Sequence, residues 1–209
     1  MLEIKSFILG PFQTNCYVVS NEQQVLLVDP ACSNEYERLL LEKYINQKLE
    51  NKNQKLSIIA THGHLDHLWG AKWATEQWHT PVLMHEADIP LAQAMQQQYD
   101  LFGIGQKAEP FKTAALTEDR PAYGLTDRMT IIKTPGQTPG SICLYWPDEK
   151  VLLSGDTLFQ MGYGRTDLPG GDMSQLIDSL RRLCALPAET VVYPGHGDET
   201  TIGAERRWF

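Results

Sequence analysis

The stretch THGHLDH, residues 61–67, decides what kind of protein this chain forms. It contains three of the six histidines of the chain and follows residues 56–60, an apolar run that predicts a buried strand. His62 and His64 alternate along an extended strand end and therefore point to the same side. Gly63 between them allows the backbone to turn tightly. The pattern predicts a loop that presents several side chains to one place.

Asp66 and His67 close this stretch, enter the next predicted helix and must point elsewhere. Imidazole nitrogen and carboxylate oxygen are ligands that zinc and similar divalent ions accept. One short loop can therefore supply two adjacent metal positions. The alternative interpretation is a polar loop whose histidines only titrate in solvent.

Two further ligand types stand where apolar strands end. Asp156 follows residues 151–153, and His196 follows residues 191–193. A buried carboxylate is costly unless it is paired or bound to a cation, and loops held by a rigid sheet commonly carry binding residues. The alternatives are a helix or turn cap for Asp156 and a solvent-exposed loop histidine for His196.

The composition limits the class of protein. The chain has 209 residues, of which 42% are hydrophobic and 21% charged, which is typical of one folded domain over residues 1–209. The net charge of −8 disfavours nucleic acid and anionic membranes as partners. The N-terminus has no signal-peptide pattern, and no apolar run approaches the roughly 18 residues of a membrane span, so we expect a cytoplasmic protein. The four cysteines form no C-x-x-C pair, which favours reduced thiols.

Strand and helix patterns alternate irregularly along the chain. Strands are predicted at residues 2–9, 15–20, 25–28, 56–60, 81–84, 129–133, 141–146, 151–154 and 190–193. Helices are predicted at residues 34–49, 68–78, 86–99 and from Asp172 or Ser174 to about 183, whereas residues 100–127 carry no clear pattern. This order is neither pure βαβ alternation nor all-β, and it favours an α+β class with two packed sheets and helices outside.

Several motifs in a fixed order resemble those of a known family. They are Asn15-Cys16-Tyr17, Val28-Asp29-Pro30, the stretch 61–67, TPGQTPGS at 134–141, GDTLF at 155–159, GRTD at 164–167 and PGHG at 194–197. In this order they resemble the metallo-β-lactamase fold hydrolases, and among them the short members of the glyoxalase II-like (hydroxyacylglutathione hydrolase-like) group. The resemblance implies an αββα sandwich of two mixed sheets with helices on the outer faces, and a dinuclear metal centre at one edge.

The resemblance also implies a role for each ligand. His62 and His64 would serve the first metal, Asp66, His67 and His196 the second, and Asp156 would bridge them. Asp29 would steady the ligand loop and would not itself be a ligand. The implied cofactor is Zn²⁺, one or two per chain, with iron or manganese as alternatives.

Gln137 departs from the family pattern, which has a histidine at this position of the TPGQTPGS loop. An amide oxygen is a weaker donor than imidazole, so the first metal would keep only His62, His64 and the bridging Asp156. We therefore expect unequal occupancy of the two metals. The alternative is that Gln137 coordinates or holds a water ligand, which would leave two working metals.

The mechanism implied by the family is attack of a metal-bound hydroxide on a carbonyl, because a metal lowers the pKa of its water to about 7. Asp66 would orient the hydroxide and take up its proton. We expect a hydrolase of small acyl thioesters, with a small-molecule substrate and no nucleic-acid or membrane partner. The sequence leaves the oligomeric state open.

Substrate contacts are less clearly marked. Only residues 199–209 follow the last ligand motif. Full-length glyoxalase II proteins have a C-terminal helical domain that contributes glutathione contacts, so we expect that glutathione recognition does not carry over from the resemblance. Tyr163 and Arg165 are weak candidates for contact with an anionic substrate, and the alternative for Arg165 is an ion pair with Asp167.

The same fold carries other functions, which are alternatives for this chain. Persulfide dioxygenases resemble this chain but hold one iron through the positions of His62, Gln137 and Asp156, and glutamine at 137 removes one of these ligands. A secreted metallo-β-lactamase is disfavoured because the signal-peptide pattern is missing. A phosphodiesterase on the same fold and a non-catalytic metal-binding protein stay as alternatives.

Overall fold

The computed structural model describes residues 2–50, 54–116 and 129–209. The chain forms two compact units, Met1–Leu125 and Thr126–Phe209. The single domain expected from the sequence stays a prediction. Within the described ranges, no helix has both the length and the apolar character needed to cross a lipid bilayer.

The first unit is built on a six-stranded mixed sheet whose strands follow chain order. The strands are β1 Glu3–Leu9, β2 Thr14–Ser20, β3 Gln24–Val28, β4 Lys55–Ile59, β5 Val82–Met84 and β6 Thr113–Ala115. The pairs β1–β2 and β2–β3 are antiparallel, whereas β3–β4, β4–β5 and β5–β6 are parallel. Strands β2 and β3 are buried throughout, as expected for central strands. The carboxyl ends of the parallel strands β3 and β4 lead into Asp29 and the ligand loop.

Helix α1, Glu35–Leu49, follows β3 and confirms the helix predicted there. The side chain of Asn34 caps it by accepting a hydrogen bond from the N–H of Glu37 at 3.0 Å. Leu41 and Ile45 are fully buried on its inner face. Burial of this face joins the helix to the core of the first unit.

The single helix predicted over residues 68–78 is wrong, because two short helices occupy this region. Helix α2 spans Leu65–Leu68, and α3 spans Ala71–Gln77. The helix is interrupted at Gly70, where a Cβ would lie 2.1 Å from the sulfur of Cys32. The N–H of Gly70 also donates to the carbonyl of Pro30 at 2.7 Å. A close approach to another segment, which periodicity cannot show, decided the break.

The helix predicted over residues 86–99 is also interrupted. A 3₁₀ turn at Glu86–Asp88 precedes α4, Ile89–Gln93, and α5, Met95–Leu101. Strand β6 was missed by the sequence pattern because its three residues are only half-buried. Of the unassigned segment 100–127, residues 117–127 lie outside the described residues.

The second unit contains a five-stranded mixed sheet in the order β13-β12-β9-β8-β7. The strands are β7 Thr130–Lys133, β8 Ile142–Trp146, β9 Val151–Gly155, β12 Val191–Pro194 and β13 Thr200–Thr201. Strands β9 and β12 are parallel, so their carboxyl ends meet at one edge. A short hairpin follows β9, with β10 at Leu158–Phe159 and β11 at Gly162–Tyr163. Of these, β10, β11 and β13 were not predicted.

Helix α6, Met173–Cys184, packs on the sheet of the second unit. Asp172 is its N-cap, one of the two caps that the sequence indicated, and its side chain accepts from the N–H of Gln175 at 3.0 Å. Leu176, Leu180 and Leu183 are fully buried. A final helix, α7 at Ile202–Glu205, and a 3₁₀ turn at Arg206–Trp208 were not predicted.

Candidate metal centre

The ligand loop of the first unit, residues 60–67, brings its three imidazoles together. His62, His64 and His67 are all buried. The ring centroid of His62 lies 4.7 Å from that of His64 and 4.1 Å from that of His67. Nε2 of His62 and Nδ1 of His64 are 3.0 Å apart. Three buried imidazoles therefore lie side by side in this loop.

Asp29 ties the start and the end of this loop together. Its carboxylate accepts from the N–H of Thr61 at 2.7 Å and from the hydroxyl of Thr61 at 2.7 Å. His67 donates its Nδ1–H to the same carboxylate at 2.9 Å. A carboxylate can only accept, so Nε2 of a neutral His67 carries the lone pair that a metal requires. Asp29 therefore contacts the loop in the way that the predicted steadying role requires.

Asp66 projects from the first turn of α2 and lies beside His67. Its Oδ2 is 3.4 Å from Nε2 of His67. The buried hydroxyl of Thr14, the first residue of β2, donates to the same oxygen at 3.0 Å. Sequence analysis missed Thr14, because this contact joins residues that are 52 positions apart.

Two more buried residues hold the main chain of the loop. The N–H of Gly63 donates to Asp88 at 2.8 Å, and the N–H of Leu65 donates to the side-chain oxygen of Gln98 at 2.9 Å. The amide nitrogen of Gln98 donates to the carbonyls of Gly63 and Leu91, both at 3.0 Å. Neither residue was singled out in the sequence, where a glutamine in a Gln-rich helix has the appearance of a solvated side chain.

The second unit holds its donors at the ends of two parallel strands. Asp156 follows β9 and His196 follows β12, and Oδ2 of Asp156 lies 3.6 Å from Nε2 of His196. The N–H of Gly195 donates to the carbonyl of Gly155 at 2.7 Å, which joins the two strand ends. Asp156 is buried, whereas the side chain of His196 is 29% exposed and its ring meets Phe159 edge-on.

Gln137 is buried beside Asp156. Its amide nitrogen donates to Oδ2 of Asp156 at 2.8 Å. Its amide oxygen is also buried, and no hydrogen-bond donor within the described ranges reaches it. Gly164 packs closely on the main chain of Asp156, since a Cβ on Gly164 would lie 2.0 Å from the Asp156 carbonyl oxygen. Gln137 thus orients the carboxylate that the resemblance gives as the bridging ligand.

These donor atoms fit a divalent metal ion. Zinc binds imidazole nitrogen and carboxylate oxygen at about 2.0–2.2 Å, so two ligands of a tetrahedral ion lie roughly 3.4 Å apart. The three donor pairs measured within the separate units, His62–His64, Asp66–His67 and Asp156–His196, are 3.0, 3.4 and 3.6 Å apart. Each pair has the spacing and chemistry of two ligands of one ion.

Arg165 and Tyr163 make contacts of their own in the second unit. Arg165 donates two hydrogen bonds to Asp167, at 2.7 and 2.6 Å. These bonds lower the pKa of the Asp167 carboxyl to about 2. The ring of Tyr163 packs edge-on against Phe209 with centroids 5.8 Å apart. The alternative interpretation of Arg165, an ion pair that braces the loop, is what the structure shows.

Comparison with known proteins decides the family. Residues 9–196 match the family model described as the metallo-beta-lactamase superfamily. The chain belongs to the metallo-β-lactamase superfamily. The fold predicted from the sequence, an α+β metallo-β-lactamase fold with two mixed sheets, is thereby confirmed.

Individual members of the superfamily match over nearly the whole chain. The probable metallo-hydrolase YqgX of Bacillus subtilis (strain 168) is 35% identical over 202 residues, which cover 95% of this chain and 92% of YqgX. The hydroxyacylglutathione hydrolase GloC of Haemophilus influenzae is 33% identical over 201 residues, covering 94% of this chain and 91% of GloC. The crystal structure of TTHA1623 in a di-iron-bound form has a TM-score of 0.83 and 34% identity, with 97% of each chain covered. The chain is thus a metallo-hydrolase-like member of the superfamily.

Proposed function

We propose that this protein is a metal-dependent hydrolase of small acyl thioesters, similar to glyoxalase II. One observation carries the proposal: Asp29 fixes the tautomer of His67 while Thr14 holds the carboxylate of Asp66 beside it. Three buried imidazoles, with the carboxyl groups of Asp29 and Asp66 both against His67, are costly to place in a loop that binds nothing. The similarity to a hydroxyacylglutathione hydrolase supports the thioester as the substrate class.

The ligands in this proposal are His62, His64, Asp66 and His67 of the first unit, and Asp156 and His196 of the second. A divalent ion held by these side chains would act as a Lewis acid and would lower the pKa of a water molecule bound to it to about 7. Membership in the superfamily supports this ligand set, and Zn²⁺ or iron fits its nitrogen and oxygen donors.

The side chains around the donors prepare the site for this chemistry. In a neutral His67, Asp29 places the proton on Nδ1 and leaves the lone pair on Nε2. The amide nitrogen of Gln137 donates to Oδ2 of Asp156 and so orients this carboxylate. Asp66, oriented by Thr14, takes the role of general base and accepts the proton of the attacking water. The thiolate of a thioester is a good leaving group, so no protein acid is needed to protonate it as the C–S bond breaks.

The experiment is a metal count followed by a substrate panel. The full chain is loaded with zinc or with iron(II), freed of excess metal, and its metal content is measured by mass spectrometry. Each sample is then assayed against S-lactoylglutathione, a short acyl coenzyme A thioester, a phosphodiester and glutathione persulfide, and a chelator-treated sample serves as the control. We expect metal uptake and thioester hydrolysis that the chelator abolishes.

Each alternative has its own outcome in this panel. Turnover of the phosphodiester alone would replace the thioesterase with a phosphodiesterase. Oxygen consumption with the persulfide would identify a dioxygenase, an outcome disfavoured by the contact of the Gln137 amide nitrogen with Asp156. Failure to take up any metal would refute the whole proposal.

A further inference from the structure

The segment of residues 86–101 supplies none of the proposed metal ligands, yet two of its buried polar side chains reach the ligand loop. Asp88, which ends the 3₁₀ turn, is fully buried, and Gln98 of α5 is 8% exposed. In the hydrogen bonds described above, these side chains contact main-chain atoms of the loop. This arrangement calls for an explanation, because buried polar side chains are costly to place.

Gly63 lies between the donor residues His62 and His64, and it is held on both sides. Asp88 accepts from its N–H, and Gln98 donates to its carbonyl. A side chain at this position would be crowded, because a Cβ would lie 3.1 Å from the carbonyl oxygen of Asp88 and 3.1 Å from Cβ of Leu91. Both peptide planes next to Gly63 are therefore fixed by residues of one neighbouring segment.

Gln98 uses both ends of its amide group. Its oxygen accepts from the N–H of Leu65, and its nitrogen donates to the carbonyls of Gly63 and Leu91. The bond to Leu65 satisfies one of the N–H groups that the start of α2 leaves without a helical partner. Since α2 carries Asp66 and His67, Gln98 links the histidine pair before the helix to the ligands inside it.

We propose that Asp88 and Gln98 are positioning residues that set the metal affinity of the ligand loop. They act through the main chain of Gly63 and Leu65, which fixes the directions of His62, His64, Asp66 and His67 before a metal binds. This inference rests on the proposed function, since it assumes that these four residues hold a metal. Groups that orient metal ligands commonly change affinity by 10- to 100-fold when they are mutated.

The test measures zinc affinity, independently of any hydrolysis. Gln98→Met has a similar volume but loses all three hydrogen bonds of Gln98, and Asp88→Ala loses the bond to Gly63. We expect each variant to bind zinc about 10- to 100-fold more weakly than the unmodified chain in competition with a chromophoric chelator. Asp88→Asn keeps an oxygen that can accept from Gly63, and its affinity should stay near that of the unmodified chain.

A matched control separates positioning from general stability. Gln54 also donates one side-chain hydrogen bond to a carbonyl, that of Asn21 at 2.6 Å, but it contacts another part of the first unit. Gln54→Met should leave zinc affinity unchanged. Melting temperatures in the presence of a chelator give the stability of each metal-free variant. A merely structural role would lower the melting temperature of Gln98→Met and leave the zinc dissociation constant of the folded protein unchanged.

A second variant covers the case in which Gln98→Met does not fold. Gln98→Glu keeps the acceptor for Leu65 and replaces the donor to Gly63 and Leu91, so its zinc affinity should also fall. Unchanged affinity in folded Gln98→Glu and Asp88→Ala would overturn the positioning role while the proposed function stands. If the unmodified chain bound no zinc or iron, the proposed function itself would fail, and the positioning role with it.

Discussion

The two units present their metal donors in different ways. The first unit supplies four donors from one continuous loop, and side chains from distant segments hold that loop: Asp29, Thr14, Asp88 and Gln98. The second unit supplies Asp156 and His196 from separate strand ends, which a main-chain hydrogen bond between Gly195 and Gly155 joins. The donors of the first unit are therefore held by side-chain contacts, whereas in the second unit a main-chain hydrogen bond joins the two strand ends and the side chain of Gln137 contacts Asp156.

This difference determines which substitutions should disturb each set of donors. In the first unit, deletion of a supporting side chain leaves buried main-chain groups without a partner, which costs about 1–3 kcal/mol for each group. In the second unit, Gly164 packs so closely on the main chain of Asp156 that an added atom at residue 164 should disturb this donor. Shortened side chains should therefore test how the donors of the first unit are held, and enlargement of Gly164 should test this for Asp156.

The largest effect is expected for Asp66→Ala, which removes a donor and the proposed base from the first unit together. We expect thioester turnover to fall by at least about 10³-fold, since a general base contributes about 10²–10⁴-fold and the loss of a ligand adds to this. The metal content should fall less, because His62, His64 and His67 are retained. Turnover and metal content are measured on the same preparation.

Asp178→Ala is the matched control for this variant, because Asp178 lies on the exposed surface of α6. It should leave turnover and metal content unchanged. Near-normal turnover in Asp66→Ala would reject the proposed role of Asp66. It would also contradict the view that the first unit contributes the reactive carboxylate.

The second prediction concerns Gly164→Ala in the second unit. The new Cβ would lie 2.0 Å from the carbonyl oxygen of Asp156, so that the chain around this donor must shift. Overpacking of this kind costs about 1–3 kcal/mol, which corresponds to a fall in melting temperature of roughly 2–12 °C for a chain of this size. We also expect weaker metal retention after dialysis, because the displaced residue is a proposed ligand.

Gly162→Ala provides the control from the same hairpin. The nearest atoms to a Cβ at this position lie 3.9 Å away, which is an ordinary contact distance. The variant should melt near the temperature of the unmodified protein and retain its metal. Equal behaviour of the two variants would show that close packing on Asp156 does not hold the donors of the second unit.

Candidate donors can be named from the sequence more readily than the contacts that hold them. The stretch 61–67 and the residues after β9 and β12 could be identified because ligand residue types stand directly after apolar strands. Most strands and helices α1 and α6 were also predicted, because apolar runs and helical spacing can be recognised from neighbouring residues alone. Nothing local distinguishes Gln98 from the other glutamines of its segment, because its partners in the ligand loop are 33 and 35 positions away.

The failures of secondary-structure prediction have the same origin. Gly70 interrupts the helix after the ligand loop because Cys32 and Pro30 approach it closely. The three residues of β6 join the sheet through parallel pairing with β5, although their own pattern is weak. In each case a contact between distant residues overrides the local preference, and a single sequence does not display such contacts.

The third prediction concerns Gln137→His, which adds an imidazole to the donors of the second unit. Gln137 donates to Asp156, and its oxygen is buried without a donor among the described residues. Gln137→His replaces the weak amide donor with nitrogen, so we expect the metal content after zinc loading to rise toward two ions per chain. Gln137→Leu, which has no donor atom, should not show this rise. Unchanged stoichiometry in Gln137→His would show that residue 137 does not limit metal occupancy.

The last prediction, with the smallest expected effect, concerns the reactivity of the buried thiols in the two units. Burial raises the pKa of Cys16 and Cys32 in the first unit, to about 12 for Cys32, and that of Cys143 in the second unit to about 11. The pKa of the half-buried Cys184 is also raised by burial, but its side chain is partly accessible. Because the thiolate is the reactive form, a raised pKa lowers reactivity at every pH below it, and at pH 8 a thiol of pKa 12 is ionised to only about one part in 10⁴.

We therefore expect a chromogenic disulfide reagent at pH 8 to label at most one thiol of the folded protein, Cys184, and all four after denaturation in guanidinium. Peptide mapping of the labelled protein identifies the modified residue. Rapid labelling of Cys16 or Cys32 under native conditions would mean that the first unit opens near Gly70, where Cys32 packs against the chain between α2 and α3. Such opening would contradict the view that side-chain contacts hold the ligand loop of the first unit in one arrangement, because α2 carries two of its donors.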